Sequence, residues 1–146
     1  MRKLTEVEEA KALMTEALEW SVMKWLKEKK RVRKTADRAN DAVDQLSKET
    51  KLLWADHLRA AYGELGRNAS PANKADGETL MSLGQVKRAD DEAFRARMDA
   101  ESTFDEAERQ LSTSMAREGC RKAIHSWELH EKAIRIAERL IPPQQG

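Results

Sequence analysis

Stepping by sevens from Leu4, the chain reads Leu4, Lys11, Leu18, Trp25, Val32, Ala39, Leu46, Leu53 and Ala60, and all but Lys11 are apolar. A second row accompanies it, three residues on at Val7 and Met14, then four residues on at Val22, Ala36, Val43, Thr50 and His57. A sustained seven-residue stripe predicts a long amphipathic helix with coiled-coil packing, and the change of spacing marks a drift of register near Ser21. Thr5 and Glu8 have the spacing of a capping box and Gly66 supplies a stop, so the first helix is expected over 6–65.

Ser82 and Gln85 repeat the capping-box spacing ahead of a second seam formed by Val86, Ala93, Ala100, Phe104, Ala107, Leu111, Ala123, Trp127, Ile134, Ala137 and Ile141. The Pro142–Pro143 pair ends it, because proline lacks the amide that helix propagation needs. The second helix is therefore expected over 83–141. Residues 66–82, with Ser70–Pro71 and Asp76–Gly77, read as the connector. Each helix would be about 90 Å long at the usual rise, and equal lengths favour an antiparallel hairpin. The expected class is all-α, in one domain spanning 1–146.

Apolar residues outside the seams fall where such a hairpin brings them together. Leu13, Ala17 and Trp20 would face Ile136, Ala133 and Leu129, with Leu140 alongside, while Trp54 would face Phe94 near Leu58, Ala61 and Leu65. Two helices bury only one stripe each, so this excess needs a cover. A homodimer follows as the expectation, two hairpins forming a long four-helix bundle. Its candidate interface is Leu13, Trp20, Trp54, Leu58, Leu65, Phe94, Leu129, Ile136 and Leu140. The competing arrangement breaks both helices, near Thr35–Asn40 and Ser112–Gly119, and folds one chain into a compact bundle. It ranks second because Val32, Ala36, Ala39, Val43 and Leu46 cross the first of these sites without a skip.

Composition adds limits. Of 146 residues, 36% are charged and 5% aromatic, with six glycines, which suits a narrow helical body and disfavours strands. The net charge of +1 gives the whole chain no bias toward polyanions. Locally, Lys24, Lys27, Lys29, Lys30, Arg31, Arg33, Lys34 and Arg38 stand against only Glu28 and Asp37, and the facing stretch 112–126 adds Arg117, Arg121 and Lys122, so a basic band would girdle the rod. Residues 90–109 are acidic. The band is a candidate polyanion site working by counterion release, for nucleic acid or a phospholipid surface, and the acidic zone of one rod is a candidate partner for the basic band of another. A solvated helical face is the plainer reading.

Candidate chemistry is sparse. Cys120 is the only cysteine, so no internal disulfide forms and a cytoplasmic location is expected. No export signal or membrane-spanning run is evident. Cys120, His125 and His130 are five residues apart, which turns successive side chains to different helix faces, and no Glu-x-x-His pair occurs, so no metal site is expected. His57 with Glu49, Asp56, Asp91 and Glu101 is the weaker metal candidate. No activated serine or glycine-rich phosphate loop is present. The expectation is a non-enzymatic protein without cofactor, a homodimeric rod that bridges an unidentified protein partner, with nucleic-acid binding as the alternative.

Overall fold

The computed structural model describes the backbone of residues 4–65 and 73–140 and the side chains of 4–52 and 84–139. The chain is all-helical there, in four helices: α1 (Thr5–Ala17), α2 (Val22–Leu65), α3 (Asn73–Gln110) and α4 (Thr113–Leu140). Each expected long helix is thus interrupted once. α2 does run unbroken through Thr35–Asn40, as its uninterrupted heptad implies. The first break falls at 18–21, which neither arrangement expects, and the second at 111–112, at the edge of the Ser112–Gly119 site of the competing arrangement, so one chain folds into four helices as that arrangement has it.

Both breaks are made by local hydrogen bonding. After α1 the chain tightens, with the Glu19 amide on the Glu16 carbonyl and the Trp20 amide on the Ala17 carbonyl. Ser21 then caps α2, its hydroxyl oxygen accepting the Lys24 amide at 3.2 Å. At the second break Leu111 takes a left-handed backbone, φ 51°. The Ser112 amide donates to the Ala107 carbonyl and the Leu111 amide to the Glu108 carbonyl, the paired bonds of a Schellman stop. Ser112 caps α4 by accepting the Met115 amide at 3.1 Å. Neither serine is followed three residues later by Glu or Gln, so a search for capping boxes passes over both.

The expected capping boxes do not act as such. α1 has Leu4 at its cap without a side-chain cap bond; Leu4 is buried, and its carbonyl accepts the Val7 and Glu8 amides, so core anchoring replaces capping. α3 begins at Asn73, ahead of the expected start, and passes through Ser82. No proline follows Pro71 until Pro142, so nothing in the covalent chain bars helix across 73–82. The rest of the connector, 66–72, and residues 141–146 lie outside the described residues.

Cross-helix contacts give an up-down-up-down bundle. Arg33 reaches Asp105, and Lys51 reaches Asp90, so α2 and α3 are antiparallel. Lys122 meets Asp99, and Gly119 abuts Phe104, so α3 and α4 form an antiparallel hairpin about Leu111–Ser112. Arg117 meets the Trp20 carbonyl at the turn end while Lys11 meets Glu131 farther along, so α1 runs back along α4. Both turns therefore occupy one end of the bundle. A single apolar cluster draws on all four helices, among them Val7 and Met14 from α1, Trp25, Val32 and Val43 from α2, Ala100 and Phe104 from α3, and Cys120 and Trp127 from α4.

The α3–α4 hairpin is the tightest part. Ala93, Ala100 and Ala107 on α3 and Ala116, Ala123 and Ala137 on α4 are buried. Ala107 with Ala116, and Ala100 with Ala123, are equidistant from the turn. A Cβ placed on Gly119 would come within 2.8 Å of the Phe104 ring, so glycine is required where the ring crosses α4. By contrast, α2 faces α3 across a seam of long polar side chains. Equal steps from the Asn40–Trp127 contact bring Leu140, the end of α4, level with Leu53, and α2 continues past it to Leu65.

Candidate functional site

Inside the bundle the polar groups hold structure. The Trp127 indole N–H donates to Asn40 Oδ1 at 2.8 Å, and the Asn40 amide nitrogen donates to Glu101 at 3.4 Å. Glu101 also pairs with Arg97 at 3.5 Å, and Arg97 reaches across the seam to Asp44. A buried indole donor needs a partner, and Asn40 is the one placed to supply it. The cavity beside this network, about 10 Å³, holds at most one water. It offers no room for a substrate.

The basic residues divide into two groups. Lys24 pairs with Glu16 at 3.7 Å and lies 5.3 Å from the centre of the Trp20 ring. Arg31 pairs with Glu28 at 2.7 Å and also lies over Trp20. Arg33 spans to Asp105 at 3.0 Å and Glu108 at 3.4 Å, its guanidinium 5.3 Å from the Phe104 ring. These three are engaged in packing. Lys27, Lys29, Lys30, Lys34 and Arg38 make no ion pair with another described residue, and Lys29, Lys30, Lys34 and Arg38 line an open groove together with Arg31 and Arg33 and the carboxylates of Asp37 and Glu108.

The band does not girdle the molecule. On α4 the expected contributors are occupied: Arg117 donates to the Trp20 carbonyl, Arg121 pairs with Glu118, and Lys122 pairs with Asp99. The unpaired cations of the expected band are therefore those on α2; Arg88, Lys132 and Arg139 line a separate groove between α3 and α4. Much of the acidic zone is likewise consumed within the chain, since Asp90, Asp99, Glu101, Asp105 and Glu108 all have partners. Folding the second helix back on itself brings those carboxylates to α2 and α4 of the same molecule.

A second feature sits at the turn end. A cavity of about 40 Å³ lies between Trp25, Val32, Phe104, Ala107, Leu111 and Ala116, with Lys29 and Arg33 on its rim. Leu26 and Leu111 line it and are exposed, Leu111 at 77%, and Val22 and Met23 are exposed at the start of α2. Val22 and Leu111 were expected on the buried seams; both stand beside a break, where the helical period that would aim them inward ends. Sequence reasoning missed this cluster because only its cap signals, Ser21 and Ser112, mark it.

The candidate dimer residues are scattered by the fold. Leu13 and Trp20 are buried within the single chain, because the break at 18–21 lets α1 fold back and cover them. Leu129 and Ile136 are half-buried, and Phe94 is 53% exposed. The side chains of Trp54, Leu58, Leu65 and Leu140 lie outside the described residues, as does His57.

Reactive groups are few. Cys120 is buried against the core and its thiol is pushed up to about 12 by burial, so it stays protonated. His130 is buried, with Nε2 unpartnered, and burial and the nearby Arg97 guanidinium hold it below the ordinary imidazole range. His125 is exposed. Among the described residues no cluster of His, Cys, Asp and Glu is arranged to hold a metal, and no helix is long and apolar enough to cross a membrane. No protein-family model matches this chain, and no curated protein and no solved structure matches it.

Proposed function

We propose that this chain is a non-enzymatic helical interaction protein of the cytoplasm, a homodimer that bridges protein partners through the surfaces of its bundle. The reading is carried by the unequal reach of the helices: α2 runs to Leu65, well past the level at which α4 ends. Along that outrunning stretch the sequence carries the stripe Trp54, Leu58, Ala61 and Leu65, which two helices alone do not cover. Leu52, Phe94 and Met98 add exposed apolar surface nearby. Pairing two copies there buries the stripe and leaves both turn ends pointing outward, free for partners.

The cytoplasmic assignment rests on the unpaired Cys120. Light scattering on purified protein tests the assembly. The expected mass is twice the 16.7 kDa of the chain, falling to one chain when Trp54 and Leu58 are replaced by serine. A monomer at micromolar concentration overturns the dimer.

Polyanion binding is the second reading, favoured by Lys27, Lys29, Lys30, Lys34 and Arg38 of the α2 band, none of which has an ion pair with another described residue. Its test is titration with labelled oligonucleotides at low salt; binding that resists reversal of Lys29, Lys30, Lys34 and Arg38 to glutamate overturns it.

A further inference from the structure

Leu111 holds a left-handed backbone, φ 51°, in a position of the Schellman stop that glycine fills without strain. A leucine there costs conformational energy, and little of that cost is recovered inside the chain because its side chain is 77% exposed. A residue that is strained and also left in water is accounted for by something outside the bundle. Three more aliphatic side chains, Val22, Met23 and Leu26, are exposed at the same end. The cavity between Trp25, Phe104 and Leu111 is bordered by Leu26, with room for the tip of one aliphatic side chain.

From this apolar end a charged row leads away along α2. Leu26, Lys30, Lys34 and Arg38 are spaced by four, so they form one ridge of the helix, and the three cations span about 12 Å. None of the three has an ion pair with another described residue, while neighbouring Arg33 is held by Asp105 and Glu108. The surface is thus an apolar socket continuous with a straight line of cations.

We propose that the turn end of the bundle docks an acidic amphipathic helix of a partner protein. One apolar side chain of that helix enters the socket against Leu111 and Leu26, and carboxylates three or four residues apart pair with Lys30, Lys34 and Arg38. This rests on the interaction-protein reading above and names the chemistry of the partner. A phosphate backbone would leave the socket and the four aliphatic residues unused. An anionic bilayer has no need of a row of cations one helix wide.

The test uses the full chain and a labelled helical peptide of about 18 residues, with leucines on one face flanked by glutamates, beside a scrambled peptide of the same composition. Vesicles of phosphatidylcholine with about a quarter phosphatidylserine, and a short DNA duplex, are titrated in parallel. The expected result is binding of the patterned peptide at least about tenfold tighter than the scramble, lost in the K30E/K34E/R38E protein. Leu111→Gly should raise the melting temperature and still weaken the peptide, a combination that a purely structural leucine cannot give. Equal binding of the two peptides, binding unchanged by either variant, or preference for vesicles or duplex overturns the proposal. A dimer that ignores the peptide removes this inference alone, whereas a monomer that binds it removes only the dimer.

Discussion

His130 shows at the level of one residue how the bundle treats polar groups it must bury. It packs in the core with Nε2 unpartnered. Burial, Arg97 and Lys51 disfavour its proton, and Asp90 and Asp44 only partly oppose them. The folded imidazole therefore titrates below the unfolded one, which sits near 6.5. Above that pH both states are neutral and the residue exacts no penalty. As pH falls through about 6.5 the unfolded chain takes up a proton that the folded chain refuses, and stability drops until the lower folded value is reached. Thermal melts at pH 7.5 and 5.5 should show a loss at the lower pH that is diminished in His130→Gln; an identical loss in that variant would place the pH sensitivity elsewhere. The sequence placed His125 and His130 on different faces of one helix. It could not disclose which of them is buried, because the five-residue spacing sets them about 140° apart around the helix and only the neighbouring helices decide which face is inward.

At the scale of elements, the apolar periods named the helices and fixed their class but did not place the turns: of the two break sites of the competing arrangement, only the one at Ser112–Gly119 lies near an observed turn. The drift of register near Ser21 was a true signal of the first break. A four-residue shift is also compatible with a continuous helix, so the period alone does not separate the two. The second break was written in composition: buried alanines at 100 and 107 are mirrored by 123 and 116 about Leu111–Ser112. Such a mirror is what two antiparallel helices need to approach closely, but an alanine at a seam position reads equally well as ordinary core. Phe104 and Gly119 complete the mirror, and they make the hairpin testable. Gly119→Ala puts a methyl within 2.8 Å of the Phe104 ring, closer than any relaxed contact. Gaining helix propensity is worth about 1 kcal/mol, whereas overpacking a tight core costs about 1–3 kcal/mol, so the variant should be less stable on balance. Phe104→Leu should relieve much of the clash, and urea denaturation of the two single variants and the double variant reads the coupling as a non-additive cycle. Additive losses would mean that the ring and the α4 backbone do not meet.

At the scale of the whole molecule, one chain supplies for itself part of the cover that two chains were expected to share. The wide apolar face of the first helix calls for a companion, and the break at 18–21 provides one by returning α1 over Trp25, Val32 and their neighbours. α1 contributes Val7, Ala10, Leu13, Met14 and Ala17, all buried, from only 13 residues. A helix that short has little stability of its own in water, so its order comes from this face, and the face in turn depends on it. Removing residues 1–20 should therefore leave the remaining helices folded but with a bare stripe along α2 and α4. Full burial of a Val, Leu or Met side chain is worth about 1.5–3 kcal/mol, so the three large buried side chains of α1 represent several kcal/mol of exposed apolar contact that another surface can satisfy. The truncated protein is expected to bind a hydrophobic dye and to assemble to a larger mass than the full chain at equal concentration, measured by light scattering, and a synthetic α1 peptide added in excess should reverse both. If the truncated chain keeps the full chain's state of assembly and excludes dye, the stripe is not held closed by α1, and the self-covering role of the break at 18–21 is refuted.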